Sequence, residues 1–363
     1  MKKTSLFILF LGVLFSAKAT HNRAGEITYK RITPFTQTVG STTVEMYNYE
    51  IIVTLYTDDG PGVADRCSDT LYFGDGTKAV AYRANGNTSG CLNTSCGSTV
   101  PCGTIIYNSP GYVVKKNNYV FYHTYPGPGA YNLFTLDPNR NPGVINIPNS
   151  VNIPFYIQSR IIITAGTAGN SSPIFNNPPI GFGYPNICYV HNPGAYDADG
   201  DSLSFMVTPC AAPGGSAVPG YMYPTGTFSI NPTSGVLNWC KPQGLGEYNV
   251  AFIVQEWRKN SSQVYQLIGQ VERDMQINVV NGVVGVPENN LALPHVFPNP
   301  AHDKISLTEL PGNEFTLFSS EGKALLQTKA GVSEIDISML PAGLYFIRSN
   351  YPGSKSTYRF VKQ

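Results

Sequence analysis

The chain has 363 residues, 13% of them charged, and a net charge of +1. That length predicts two or three domains, and the near-neutral balance excludes the basic field that nucleic acid or anionic lipid would need, so no nucleic-acid partner is expected. With 42% hydrophobic residues the chain can fill packed cores, and its 36 Gly, 28 Pro and 23 Tyr predict an all-β molecule of short strands and many turns.

The first 19 residues have the layout of a cleaved export signal. Lys2-Lys3 is followed by the apolar run Leu6 to Phe15 and by Ala17-Lys18-Ala19, so the mature chain is expected to begin at Thr20. The run is short for a stable bilayer span and no other stretch is as apolar, so no membrane span is expected after cleavage. Seven cysteines in an exported chain read as disulfides. Cys67, Cys91, Cys96 and Cys102 form one group, with three possible connectivities; Cys188, Cys210 and Cys240 form a second, with one odd member.

Residues 20–168 read as a first β-sandwich. Glu45 to Thr57 alternates cleanly, with Tyr47, Tyr49, Ile51, Val53 and Leu55 on one side. Phe73-Gly74-Asp75-Gly76-Thr77 is a tight-turn signal, and His123-Thr124-Tyr125 leads through Pro126-Gly127-Pro128-Gly129 into another strand. A further strand falls within 151–165. The FGDGT and HTY pair resembles the PKD domain, an Ig-like sandwich of surface proteins, which implies that His123 and Tyr125 are turn and core residues. Residues 78–122 depart from the PKD pattern as an insertion carrying three of the cysteines. The mature start, His21 to Tyr29 (HNRAGEITY), is similar to the opening of Bacteroidota surface proteins.

Gly166 to Pro179, small, polar and Pro-rich, predicts a boundary. Residues 169–280 then carry Asp197-Ala198-Asp199-Gly200-Asp201-Ser202-Leu203, Phe228-Ser229-Ile230, Ser234-Gly235-Val236-Leu237-Asn238-Trp239 and Gly246-Glu247-Tyr248-Asn249-Val250. This order resembles cadherin-like (dystroglycan-type) Ig-like repeats. Alternation independently puts Tyr248, Val250, Phe252 and Val254 inward, and Val264 to Val280 is expected to hold the final strand or hairpin.

Residues 281–292 (from NGVVGVPENN) read as a linker. Residues 293–363 read as a small sandwich, with Phe315/Leu317 and Ile335/Ile337 facing its core and Pro341 and Gly343 forming a turn in which Gly343 supplies a positive φ. Phe297-Pro298-Asn299-Pro300-Ala301, then Leu340-Pro341-Ala342-Gly343-Leu344-Tyr345, then the terminal Tyr358-Arg359-Phe360-Val361-Lys362-Gln363 resemble the type A C-terminal sorting domain of the Bacteroidota type IX secretion system. The resemblance implies that the type IX machinery is a partner, and that the product is secreted or held on the outer cell surface.

The sharpest candidate site is Asp197, Asp199 and Asp201, joined by Glu256 from the end of the long strand. Carboxylates at i, i+2 and i+4 around a flexible Gly200 can converge hard oxygens on calcium. An EF-hand is excluded because its twelfth position would be Thr208. The cadherin-like resemblance implies a structural ion; the rival reading is a solvated acidic turn. Asp201-Ser202-Leu203 and Asp69-Thr70-Leu71 resemble a bacterial O-glycosylation pattern. Tyr221-Met222-Tyr223 with Trp239 and Trp257 suggests an aromatic platform for sugar rings, against a reading of Trp239 as core. No H-E-x-x-H or G-x-S-x-G motif is present, and only five histidines occur.

The fold class read from the sequence is therefore tandem Ig-like β-sandwiches followed by a small C-terminal β-sandwich. The expected role is non-catalytic adhesion or surface display toward a glycan or protein ligand. The alternative is a secreted carbohydrate-binding protein, and a glycoside hydrolase is the minor one.

Overall fold

The computed structural model describes residues 22–59, 66–88, 96, 99–109, 112–165, 169–281, 296–307, 314–320, 322–329, 331–349 and 357–363. The predicted export signal, Cys91, residues 166–168 of the predicted boundary and all but Asn281 of the predicted linker lie outside the described residues. The described residues are all-β, apart from a 3-10 turn at Ser150–Asn152. Two compact units are present, Met1–Gly282 and Val283–Gln363.

The first unit is organised by a 12-stranded sheet. Its predicted alternation is realised: Tyr47, Tyr49, Ile51, Val53 and Leu55 of the strand Tyr47–Asp58 are all buried in one core, with Phe73, Phe121, Tyr125 and Ile157. A second core holds Tyr248, Val250, Phe252 and Val254 of Gly246–Lys259, with Trp239, Leu237, Met275 and Ile277. The strand Tyr265–Val279 contributes Met275, Ile277 and Val279 to this second core. It pairs along its length with Gly246–Lys259, and also with Phe155–Ile163 and with the opening strand Asn22–Arg31.

The opening strand is held by charge as well as by its ladder. Glu26 receives hydrogen bonds from the fully buried Arg273 at 3.0 and 3.1 Å and from Tyr56 at 3.1 Å. Arg23 reaches Asp58, Glu247 at 3.0 Å and Gln276 at 2.9 Å. The residues of the short HNRAGEITY motif thus tie sequence-distant strands together. The Asp75 and His123 motifs also meet: His123 Nε2 lies 2.7 Å from Asp75 Oδ2, with its ring stacked on Phe73 at 3.9 Å.

Cys67–Cys96 and Cys188–Cys240 are bridged, Cys102 is also disulfide-bonded, and the odd thiol of the second group is Cys210, fully buried.

In the second unit Phe315, Leu317, Ile335 and Ile337 face the core as expected, with Ile347 and Phe360. A four-stranded sheet orders Ala324–Gln327, Phe315–Ser319, Gly343–Ser349 and Thr357–Lys362. Asn299 of the Pro-Asn-Pro motif accepts a hydrogen bond from the Val361 N–H at 2.9 Å, and Ala301 bridges to Lys362, so the start of the tail is docked on its last strand. Gly343 departs from expectation. It lies at the start of a strand, opposite Lys362, and does not adopt a positive φ, because ladder pairing there demands extended backbone.

Candidate metal centre

The acidic turn is built locally. Asp197 Oδ1 accepts the backbone N–H groups of Asp199 at 3.0 Å and Asp201 at 2.9 Å, and Gly200 takes φ +82° to close the bend. Glu256 arrives from another strand, where a bulge between Glu256 and Trp257 interrupts the pairing with Tyr265–Val279. Opposite it stands Gly269, where a Cβ would sit 2.0 Å from Glu256 Oε2 and 2.2 Å from the Tyr29 hydroxyl. Only a residue without a side chain leaves room for that carboxylate.

Asp197, Asp201 and Glu256 each offer an oxygen, and these oxygens lie within 4.8 Å of one another. Asp199, the fourth residue of the predicted set, is turned aside. Its Oδ2 accepts the Ser171 N–H at 2.6 Å and lies 3.8 Å from Arg258. Arg258 grips both oxygens of Asp201 at 2.5 and 2.7 Å and also donates to Asn170 Oδ1 at 2.9 Å. Glu256 is 0% exposed and receives hydrogen bonds from Tyr29 and Asn170, each at 3.1 Å.

Asp197, Asp201 and Glu256 gather in a place largely closed to water, and Arg258 is already engaged by Asp201, with Asp199 beside it. Burial, and then the facing Asp197, push the Glu256 carboxyl well above its ordinary range, while Asn170 and Tyr29 pull it back. Asp197 is 7% exposed and its Oδ2 has no hydrogen-bond donor. The excess negative charge can be relieved by a proton shared between Glu256 and Asp197, or by a hard cation. The donor set is all oxygen, the kind calcium takes; Asp197 Oδ2 would be its free ligand atom, with Glu256 and Asp201 beside it, the latter shared with Arg258.

The sequence pattern missed Tyr29, Asn170, Arg258 and Gly269. Asn170 sits in an N-x-S sequence, but it is buried and hydrogen-bonded into the centre. Of the two readings of the aromatic residues, the one that makes Trp239 a core residue holds. Trp239 is 0% exposed, with its Nε1 donating to the Thr225 carbonyl at 2.8 Å, because it fills the second core. Trp257 donates to Ser204 Oγ at 2.8 Å, and of the Tyr221 loop only Met222 and Tyr223 are well exposed. Among the described residues no helix is long and apolar enough to cross a membrane.

Residues 295–363 match a family model described as a secretion system C-terminal sorting domain. The chain is therefore secreted or attached to the outer cell surface, and its tail interacts with the secretion machinery. No curated protein matches it. Among solved structures, extracellular domains 3-5 of Drosophila OTK are 11% identical, covering 86% of this chain and 91% of that one, at a TM-score of 0.20. The N-terminal four Ig domains of Dscam1 isoform 4.44 are 11% identical over 95% of each chain, at 0.19. The insect immune protein hemolin is 10% identical over 95% of this chain and 96% of that one, at 0.18. TM-scores this low carry no weight for fold or function.

Proposed function

We propose that this chain is a non-catalytic adhesion or display protein of the outer cell surface, with a calcium ion bracing its first unit. The observation that carries the reading is the sorting domain at 295–363 following a disulfide-bonded β unit. A PKD-like first half and a cadherin-like second half belong to the same proposal, supported by the Asp75–His123 pair and by the turn Asp197 to Asp201. The calcium reading is supported by the buried, donorless Asp197 Oδ2 beside Asp201 and Glu256. The test is removal of the gene from its own cell. Adherence to solid surfaces or to other cells is expected to fall, with the hydrolytic activities of the culture unchanged. A mutant that adheres normally but loses a hydrolytic activity would overturn the reading.

A further inference from the structure

The strand Tyr265–Val279 alternates Val271, Met275 and Ile277, which are core residues, with Gln270, Glu272, Asp274 and Gln276 on its other face. That other face is partly covered by chain segments that bring Val144, Ile147, Cys210, Ala212 and Val218 against Ala251. Where the cover ends, at the turn through Gly214 and Gly215, a cleft of 270 Å³ opens. Both glycines have positive φ (+88° and +77°), and a Cβ on Gly215 would stand 3.0 Å from Gln158 Oε1. The turn therefore comes down on the sheet without filling the cleft.

The rest of the lining comes from neighbouring strands in register. Arg160 pairs with Asn132 on one side and Gln270 on the other, and Glu272 pairs with Ile253. Glu272 is 3% exposed; its Oε2 accepts from Gln158 Nε2 at 3.0 Å, while its Oε1 is buried with no hydrogen-bond partner. A buried acceptor without a donor is costly unless something supplies one.

We propose that this cleft binds one uncharged sugar unit of a surface polysaccharide. Amides, a guanidinium and a carboxyl place donors and acceptors together, which matches hydroxyl groups that both donate and accept. Ile253 offers apolar surface to the C–H face of a ring. Arg160 opposes a bound cation. Burial raises the Glu272 carboxyl to about 8, so at neutral pH it can donate as well as accept. The volume lies just below the roughly 300 Å³ at which drug-sized sites begin, which suits a single ring.

This ligand gives the surface-adhesion reading an object and rests on that reading only for where the sugar is met. The test is calorimetry of the full chain with laminarihexaose, cellohexaose, xylohexaose and mannohexaose, and with hexagalacturonate as the charged counterpart. Binding of at least one uncharged sugar is expected. The rim variants Asn132→Ala and Arg160→Ala should each weaken it about tenfold, the loss of one strong hydrogen bond, with unchanged melting temperature. Silence with all four uncharged sugars, a preference for hexagalacturonate, or full affinity in both variants would overturn the proposal. None of these results depends on cell adherence, so the two readings fail separately.

Discussion

At the scale of single residues, buried ionisable groups dominate. Arg273 is 0% exposed and leans on Glu26 through two hydrogen bonds. Removing one partner of such a pair leaves a charge stranded away from water, at a cost of about 3–5 kcal/mol. Glu26→Ala is therefore expected to lower the denaturant midpoint strongly, whereas Lys304→Ala, which removes an exposed pair with Glu334, should shift stability by no more than about 1 kcal/mol. Glu272 makes a pH prediction. Desolvation holds its folded carboxyl near 8, against an ordinary value of 4.5, so between these limits the folded chain binds more protons than the unfolded one. Its contribution to stability is complete below pH 4.5 and is lost as pH rises toward 8. In urea titrations across that window, Glu272→Gln should flatten the decline relative to the parent chain; parallel curves would contradict the assignment.

At the scale of elements, strands with one buried face were legible because period-2 alternation has a single physical cause. Tyr47 to Leu55, Tyr248 to Val254 and Phe315/Leu317 all face cores as read. The opening strand was legible only as a weak resemblance, because it lies between Tyr47–Asp58 and Tyr265–Val279 with both faces buried, so no alternation marks it. The acidic site was legible in the same partial way. Asp197 and Asp201 share one local turn, while Tyr29, Asn170 and Gly269 reach Glu256 through tertiary pairing that no spacing encodes. Gly343 was misread because a Pro-x-Gly run permits a positive φ without requiring it. The Cys188–Cys240 bridge closes a 52-residue separation, which by loop entropy is worth about 4 kcal/mol. A Cys188→Ala/Cys240→Ala double variant should lose stability on that scale in equilibrium unfolding, and a loss below about 1 kcal/mol would show that packing of Trp239 with its cross-strand core neighbour Tyr189 suffices alone.

At the scale of the whole molecule, the tail and the first unit carry different parts of the account. The tail sets the destination, through a core of its own and a Pro-Asn-Pro start docked on its last strand. In our proposal the first unit carries the binding work and the calcium. The most direct measurement is retention of labelled full chain on whole cells, in calcium and again in chelator, with Asp197→Asn alongside. The account predicts saturable retention that falls in chelator, and that is equally low in the variant under both conditions. Retention of parent and variant alike, indifferent to calcium, would remove the ion from the account; no retention on any cell would contradict adhesion itself.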